Sequence, residues 1–316
     1  MRLFSAVLST LAGFVLLVAG GELVVRGAGG LALSLGIRPV IVGLTVIAFS
    51  TSAPELAASA TAASDGHAEI AVGNVLGSNL ANVGVILGLV GLLRPLPVQS
   101  TFLQREVPAL LASAVLLLLV LLDGAASRVD GVLLLSALVI YLVWLLRNAR
   151  STEDPWLEEE VNQMRRLFGR ATAVRVGQLA AGVAVLVLGA DLLVGGASVL
   201  AKSAGVPESF IGLTVVAIGT SLPELASSLA AVRAGEVDLV LGNVVGSNIF
   251  NVLFILGLSA ALFPFELAPG AFRNELWANL ALTAALAPIL RRGNALLRGE
   301  AALLLGAYVF WLVLLT

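Results

Sequence analysis

The chain carries one block of sequence twice. Displaced by 169 residues, segment 36–93 falls on 205–262 without a gap, and 28 of the 58 positions are identical. Gly43-Leu44-Thr45-Val46 falls on Gly212-Leu213-Thr214-Val215, and Thr51-Ser52-Ala53-Pro54-Glu55-Leu56-Ala57 on Thr220-Ser221-Leu222-Pro223-Glu224-Leu225-Ala226. Gly73-Asn74-Val75-Leu76-Gly77-Ser78-Asn79 falls on Gly242-Asn243-Val244-Val245-Gly246-Ser247-Asn248. A weaker echo precedes the block, where Gly20, Leu23, Val25, Gly27 and Ala28 meet Gly189, Leu192, Val194, Gly196 and Ala197. Shared apolar composition yields similar residues. It does not reproduce Thr-Ser-x-Pro-Glu at a single offset, so the second block must fold as the first does.

The solvent for that fold follows from composition. Residues of the types AVILMFWYC make up 59% of the chain and charged residues 12%, about half the ~25% of a soluble domain. A soluble globular enzyme, a disordered chain and a nucleic-acid binder are excluded, and a polytopic helical membrane protein remains. Apolar stretches near the ~20 residues of one crossing fall close to 3–25, 39–63, 70–93, 106–122, 129–146, 173–200, 209–232, 239–263, 271–290 and 297–315. None shows the short polar–apolar alternation of barrel strands. The first stretch outruns the ~7–15 residue core of a signal peptide and lacks a small-residue cleavage site, so a retained helix is expected. The absence of Cys removes disulfides, thiolate metal sites and Cys nucleophiles, and the single His67 removes a multi-His metal centre.

Ten spans divide into five and five. Five is odd, so the second half enters the membrane upside down. The expected fold is therefore an all-α membrane protein of ten transmembrane helices arranged as two inverted five-helix repeats, 1–147 and 173–316, joined by a cytoplasmic linker over 148–172. With the N-terminus outside, the inner connections hold 14 of the basic residues and the outer ones 4 (Arg2, Arg128, Lys202 and Arg273), which predicts both termini on the outer side of the inner membrane. The linker mixes Arg with Glu153, Asp154 and Glu158-Glu159-Glu160 and reads as a solvated connection, without the spaced ligands of a Ca²⁺-binding loop.

Glu55 and Glu224 lie inside uncharged apolar spans, where a carboxylate costs ~2.5–3.5 kcal/mol or more and is expected to face a cavity and to function. Paired carboxylates can also cut peptides, but these two are accompanied by hydroxyls and amides, which suits cation coordination. Ala48, Thr51, Ser52, Glu55 and Ser59 share one helix face, as do Ala217, Thr220, Ser221, Glu224 and Ser228. Asn74, Ser78 and Asn82 form an i, i+4, i+8 stripe on the next helix, copied by Asn243, Ser247 and Asn251. All of these offer oxygen, the donor preferred by hard cations such as Na⁺ and Ca²⁺. Asn74 and Asn243 can equally serve as interhelical hydrogen-bonding residues, and Asn79 and Asn248, off the stripe, read as structural. Pro54 and Pro223 free the carbonyls near Ser50 and Gly219 and break the helix one turn before each Glu, which is tolerated where the backbone lines a cavity. Gly73, Gly77, Gly242 and Gly246 are expected to admit close helix packing. Glu22, with Arg26 four residues on, suits an ion pair, and His67 a solvated loop.

At these two blocks the sequence resembles the Ca²⁺/cation antiporter superfamily, and most nearly its prokaryotic Na⁺/Ca²⁺ exchangers with ten helices and no large regulatory domain. The carrying residues are Gly43-Leu44-Thr45 through Glu55 and Gly73 through Asn79, with their copies at 212–224 and 242–248. The resemblance implies a cation cluster of Glu55 and Glu224, of Thr51, Ser52, Thr220 and Ser221, of the Ala48 and Ala217 carbonyls, and of Ser78, Asn82, Ser247 and Asn251. Some members place Asp where this chain has Asn251, which argues against K⁺ dependence here and leaves two carboxylates in the cluster. Cation/proton members place an acid after Gly-Asn, where this chain has Gly-Ser-Asn.

The implied function is antiport of Na⁺ against Ca²⁺ by alternating access. Two ionised Glu are neutralised by one Ca²⁺ and left at +1 by about three Na⁺, so exchange is expected to be electrogenic. Ca²⁺/H⁺ exchange on the same two Glu is the nearest alternative, a cation channel is an alternative of another class, and an enzyme is not expected. The implied partners are Ca²⁺, Na⁺ and the lipid bilayer, with H⁺ as the alternative counter-ion, no cofactor, no nucleic acid and no obligate protein partner.

Overall fold

In lipid a backbone N–H or C=O must be paired within its own segment, so an apolar run that crosses has to close into a helix. The computed structural model describes residues 2–35, 37, 39–148, 171–204, 217–268 and 270–315. Helices occupy all ten apolar stretches in whole or part: α1 (Arg2–Leu35), α2 (Pro39–Thr51), α3 (Ala53–Ser64), α4 (Ala68–Leu93), α5 (Ser100–Leu121), α6 (Arg128–Arg147), α7 (Ala171–Ser203), α8 (Ala217–Thr220), α9 (Leu222–Ala234), α10 (Val237–Leu262), α11 (Arg273–Arg291) and α12 (Arg298–Leu315). Among the described residues, α1, α4, α5, α6, α7 and α10 are each long and apolar enough to cross a membrane, and α2 with α3 together make a seventh such span. The chain is thus a helical, multi-pass membrane protein. The expected linker 148–172 lies largely outside the described residues, as does 205–216 in the second repeated block.

Two structural units emerge, each drawing elements from both halves of the chain: Met1–Thr51 with Leu146–Asn243, and Ser52–Leu145 with Val244–Thr316. The first is built on α1 and α7. At 34 and 33 residues and ~1.5 Å per residue, each is about 50 Å long, well beyond the ~30 Å of a bilayer core. They run antiparallel and meet through glycines spaced by seven residues. A Cβ on Gly13 would lie 2.5 Å from the Leu193 nitrogen, on Gly20 2.9 Å from that of Leu186, and on Gly27 2.8 Å from that of Leu179. In return, a Cβ on Gly182 would lie 2.7 Å from the Val24 nitrogen, on Gly189 2.9 Å from that of Leu17, and on Gly196 2.6 Å from the Ala6 carbonyl oxygen. Backbone touches backbone along this seam, and Ser9 Oγ donates across it to the Leu192 carbonyl at 2.9 Å. Outside the seam α1 shows Leu3, Phe4, Leu8, Leu11, Phe14 and Val15, a face suited to lipid. Glu22 accepts from Arg26 at 3.3 Å on an exposed flank, as the i, i+4 spacing predicts. In the same unit α2 crosses the start of α10 where Gly43 faces Gly242, the Gly43 Cβ position being 3.0 Å from the Gly242 Cα.

The second unit packs α4 against α12 through Gly84, Gly88 and Gly91, whose Cβ positions fall 2.5 Å from Tyr308 Cβ, 3.0 Å from Leu305 Cβ and 2.8 Å from Ala301 Cβ. Gly131 of α6 abuts the Ala261 backbone of α10. Two antiparallel ladders tie the connections together: β1 (Leu96–Pro97) with β4 (Ala295–Leu296), and β2 (Ala125–Ala126) with β3 (Phe265–Glu266). Each joins a connection of one half to a connection of the other. The all-α expectation therefore gains two short strand pairs. At the start of α6, Ser127 and Asp130 form a reciprocal cap, Ser127 N–H donating to Asp130 Oδ2 at 2.8 Å and Asp130 N–H to Ser127 Oγ at 3.2 Å. Gly77 departs from its expected packing role: a Cβ there would meet nothing within 4 Å.

Candidate cation site on two interrupted helices

Both repeated Thr-Ser-x-Pro-Glu strings interrupt their helix at the serine. Ser52 (φ −81°, ψ 9°) ends one helix before Ala53 opens α3, and Ser221 (φ −89°, ψ 6°) does the same before α9. Each proline falls in the first turn of the new helix, where a missing N–H costs nothing. Neither serine hydroxyl caps the helix that follows, while the Ser52 and Ser221 carbonyls accept from Leu56 and Leu225 N–H at 3.0 and 3.1 Å. Glu55 and Glu224 thus stand one turn into freshly started helices, each 1% exposed.

In the first unit the groups around Glu224 are tied by Asn243. Its Nδ2 donates towards Ser227 Oγ at 3.0 Å, Ser228 Oγ at 3.3 Å and the Glu224 carbonyl at 3.4 Å. Its Oδ1 accepts from Thr51 Oγ1 at 3.2 Å. The Thr51 hydroxyl also reaches the Ile47 and Ala48 carbonyls at 3.1 and 3.4 Å, so the Ala48 carbonyl lies beside it. Ser221 and Ala48 are buried and Thr220 half-buried. Ala217 opens the short helix α8.

In the second unit Asn74 holds Glu55 the same way, with Nδ2 to the Glu55 carbonyl at 3.1 Å and to Ser59 Oγ at 2.9 Å. Asn74 and Asn243 are therefore clamps on the backbone of the two acids, and interhelical bonding is their observed use. Ser52, Ser78, Asn82, Ser247 and Asn251 are all buried in this unit. Asn82 and Asn251 each begin a π-helical stretch, Asn82–Ile86 and Asn251–Leu256. Such widened turns re-aim side chains and concentrate at functional sites.

Asn79 and Asn248 do more than pack. Asn82 Nδ2 donates to Asn248 Oδ1 at 2.9 Å, and Asn251 Nδ2 to Asn79 Oδ1 at 3.0 Å. Asn79 and Asn248 then donate to each other's backbone carbonyls at 3.4 and 3.3 Å. The helix stripe alone did not include them. Their presence at matching positions of both blocks was the available signal. Glu106, fully buried in α5, also escaped notice because it stands at the margin of an apolar run; the 169-residue offset pairs it with Glu275. His67 is exposed, as expected.

Among the described residues no three or more His, Asp or Glu side chains gather as a metal cluster. A cation held by these residues would be held by hydroxyl, amide and carbonyl oxygens around single carboxylates, the donor set of hard ions.

The family model for the sodium/calcium exchanger protein matches this chain over residues 5–147 and 174–316. The chain belongs to the sodium/calcium exchanger protein family. The starts of the two matched segments, 5 and 174, and their ends, 147 and 316, each differ by 169, the offset of the repeated block. Among relatives of this exchanger-family chain, inner membrane protein YrbG of Escherichia coli K12 is 37% identical over 306 residues, covering 96% of this chain and 94% of its own. The sodium/calcium exchanger MaX1 of Methanosarcina acetivorans is 32% identical over 338 residues, covering 96% and 97%. The solved structure of the sodium-calcium exchanger NCX_Mj soaked with 10 mM Na⁺ and zero Ca²⁺ superposes with a TM-score of 0.87 at 29% identity, over 99% of this chain and 100% of that one.

Proposed function

We propose that the chain is a secondary active antiporter that exchanges Na⁺ for Ca²⁺ across the inner membrane by alternating access, expelling Ca²⁺ as Na⁺ flows in. One observation carries this reading: Glu55 and Glu224, at repeat-equivalent positions, are each 1% exposed on a helix that restarts one turn earlier, each with its backbone clamped by an equivalent Asn. An acid kept twice within apolar spans is functional by default, and the hydroxyl and amide oxygens beside it suit a transported hard cation. The ligands are Glu55, Glu224, Thr51, Ser52, Thr220, Ser221, Ser78, Asn82, Ser247 and Asn251 with the Ala48 and Ala217 carbonyls. The frame is two inverted five-helix repeats, 1–147 and 173–316, with a cytoplasmic linker over 148–172 and both termini outside; the doubled match of the family model at the 169-residue offset supports it. Na⁺ and Ca²⁺ compete for the same carboxylates, which forces alternation without a separate coupling device. The site charge of −2 makes a cycle of one Ca²⁺ against about three Na⁺ electrogenic, and each net charge moved across 100 mV is worth ~2.3 kcal/mol.

The test is ⁴⁵Ca²⁺ uptake into proteoliposomes under an outward Na⁺ gradient, a pH gradient, or neither. Uptake under the Na⁺ gradient alone is the expected result. Uptake under the pH gradient alone assigns proton-coupled exchange on the same two acids, and equal uptake with neither assigns a channel; both overturn the proposal.

A further inference from the structure

A side-chain amide has a right end and a wrong end for a cation. The carbonyl oxygen attracts it and the NH₂ repels it, yet the two ends occupy nearly the same volume, so packing alone does not choose between them. In the second unit, hydrogen bonding chooses. The NH₂ groups of Asn82 and Asn251 are committed to Asn248 Oδ1 and Asn79 Oδ1 at 2.9 and 3.0 Å. Those oxygens are themselves fixed, because the NH₂ groups of Asn248 and Asn79 are committed to the Asn79 and Asn248 backbone carbonyls. Turning Asn82 or Asn251 over would set oxygen against oxygen. Turning Asn79 or Asn248 over to relieve that would set its oxygen against a main-chain carbonyl. The four amides have a single satisfied arrangement. It leaves two atoms over: Oδ1 of Asn82 and Oδ1 of Asn251, each buried and each accepting no hydrogen bond. Buried acceptors are normally paired, and here two are left at positions 169 residues apart, both at the first residue of a π-helical stretch.

From this juxtaposition we infer that Asn79 and Asn248 are positioning residues that hold the amides of Asn251 and Asn82 with their oxygens presented to the transported cation. They touch no ion themselves. The inference rests on the exchange reading above, since it needs Asn82 and Asn251 to be ligands. It adds that each ligand amide is oriented by an Asn from the other repeat, so neither half can present its helix ligand alone.

The test is equilibrium ⁴⁵Ca²⁺ binding to purified, detergent-solubilised full-length protein, with Na⁺ competition, on wild type, N79A, N251D and the double variant N79A/N251D. Wild type is expected to bind Ca²⁺ and release it to Na⁺; if it does not, the exchange reading fails and this inference with it. With wild type binding, N79A is expected to raise the Ca²⁺ Kd about ten-fold, the loss of one orienting hydrogen bond. An aspartate has no wrong end, so in the N251D background the same N79A change should shift Kd less than about two-fold, or tighten it, because it removes an oxygen facing the carboxylate. A general packing role for Asn79 would give the same penalty in both backgrounds. That outcome, or an unchanged Kd in N79A, overturns the inference while leaving exchange intact. N248A with N82D repeats the cycle at the equivalent positions. If the alanine variants are not monodisperse, N79S and N248S, which retain a hydroxyl, carry the same comparison with an expected shift of about three-fold.

Discussion

Replacing Gly13 by Ala adds one carbon where the structure leaves no room for it. The added Cβ would sit 2.5 Å from the Leu193 nitrogen, 2.6 Å from the Gly189 oxygen and 2.8 Å from the Leu193 Cα. All three are backbone atoms of α7, so no side chain can rotate away, and carbon contacts relax only near 3.5–4.0 Å. The helices must part locally by about 1 Å, which forfeits a quarter to a half of the dispersion along the contact. Overpacking of this kind costs about 1–3 kcal/mol, against about 1 kcal/mol gained by Ala over Gly in a helix, so a net loss of up to about 2 kcal/mol is expected. Gly177, on α7 and exposed, is the control: a Cβ there meets nothing within 4 Å, and G177A should gain up to about 1 kcal/mol. Reversible denaturation of both variants in detergent, compared with wild type, checks the difference. A G13A protein as stable as G177A would refute the reading of the seam as backbone-to-backbone packing.

Three further outcomes follow from the site. E55Q and E224Q keep shape and remove charge, so each should abolish Na⁺-driven ⁴⁵Ca²⁺ uptake while the protein stays monodisperse on size exclusion. N243A should destabilise more than N74A, because Asn243 binds Thr51 as well as the Glu224 turn whereas Asn74 serves the Glu55 turn alone. Losses of about 1–3 kcal/mol per buried group left unpaired are expected, measured by denaturant titration. T51V removes the donor to Asn243 Oδ1 and should cost similarly, while T51S should recover most of the loss; equal behaviour of the two variants would show the hydroxyl to be irrelevant.

The parts of the fold that depend on one helix at a time were readable in the chain. Pro54 and Pro223 foretold the interruptions at Ser52 and Ser221, and uncharged runs foretold where helices lie. The first helix was expected over 3–25 but continues to Leu35, because Gly27 and Gly30 pack on α7 rather than end the helix. Helical spacing sorts residues onto the faces of a single helix. It does not say that a residue off one stripe will find a residue on another, which is how Asn79 met Asn251. The π-helical stretches and two-residue strand pairs were equally silent, since both are set by tertiary packing and leave no local pattern.

The glycine seam of α1 and α7 has one more property. Gly13, Gly20 and Gly27 stand 169 residues before Gly182, Gly189 and Gly196, so each helix offers its partner the surface it receives. A self-complementary join of this kind is what two copies of one chain make about a two-fold axis. The molecule therefore contains, inside a single polypeptide, the interface of a homodimer, and any change in one row of glycines has a twin in the other whose effect on the join must match it.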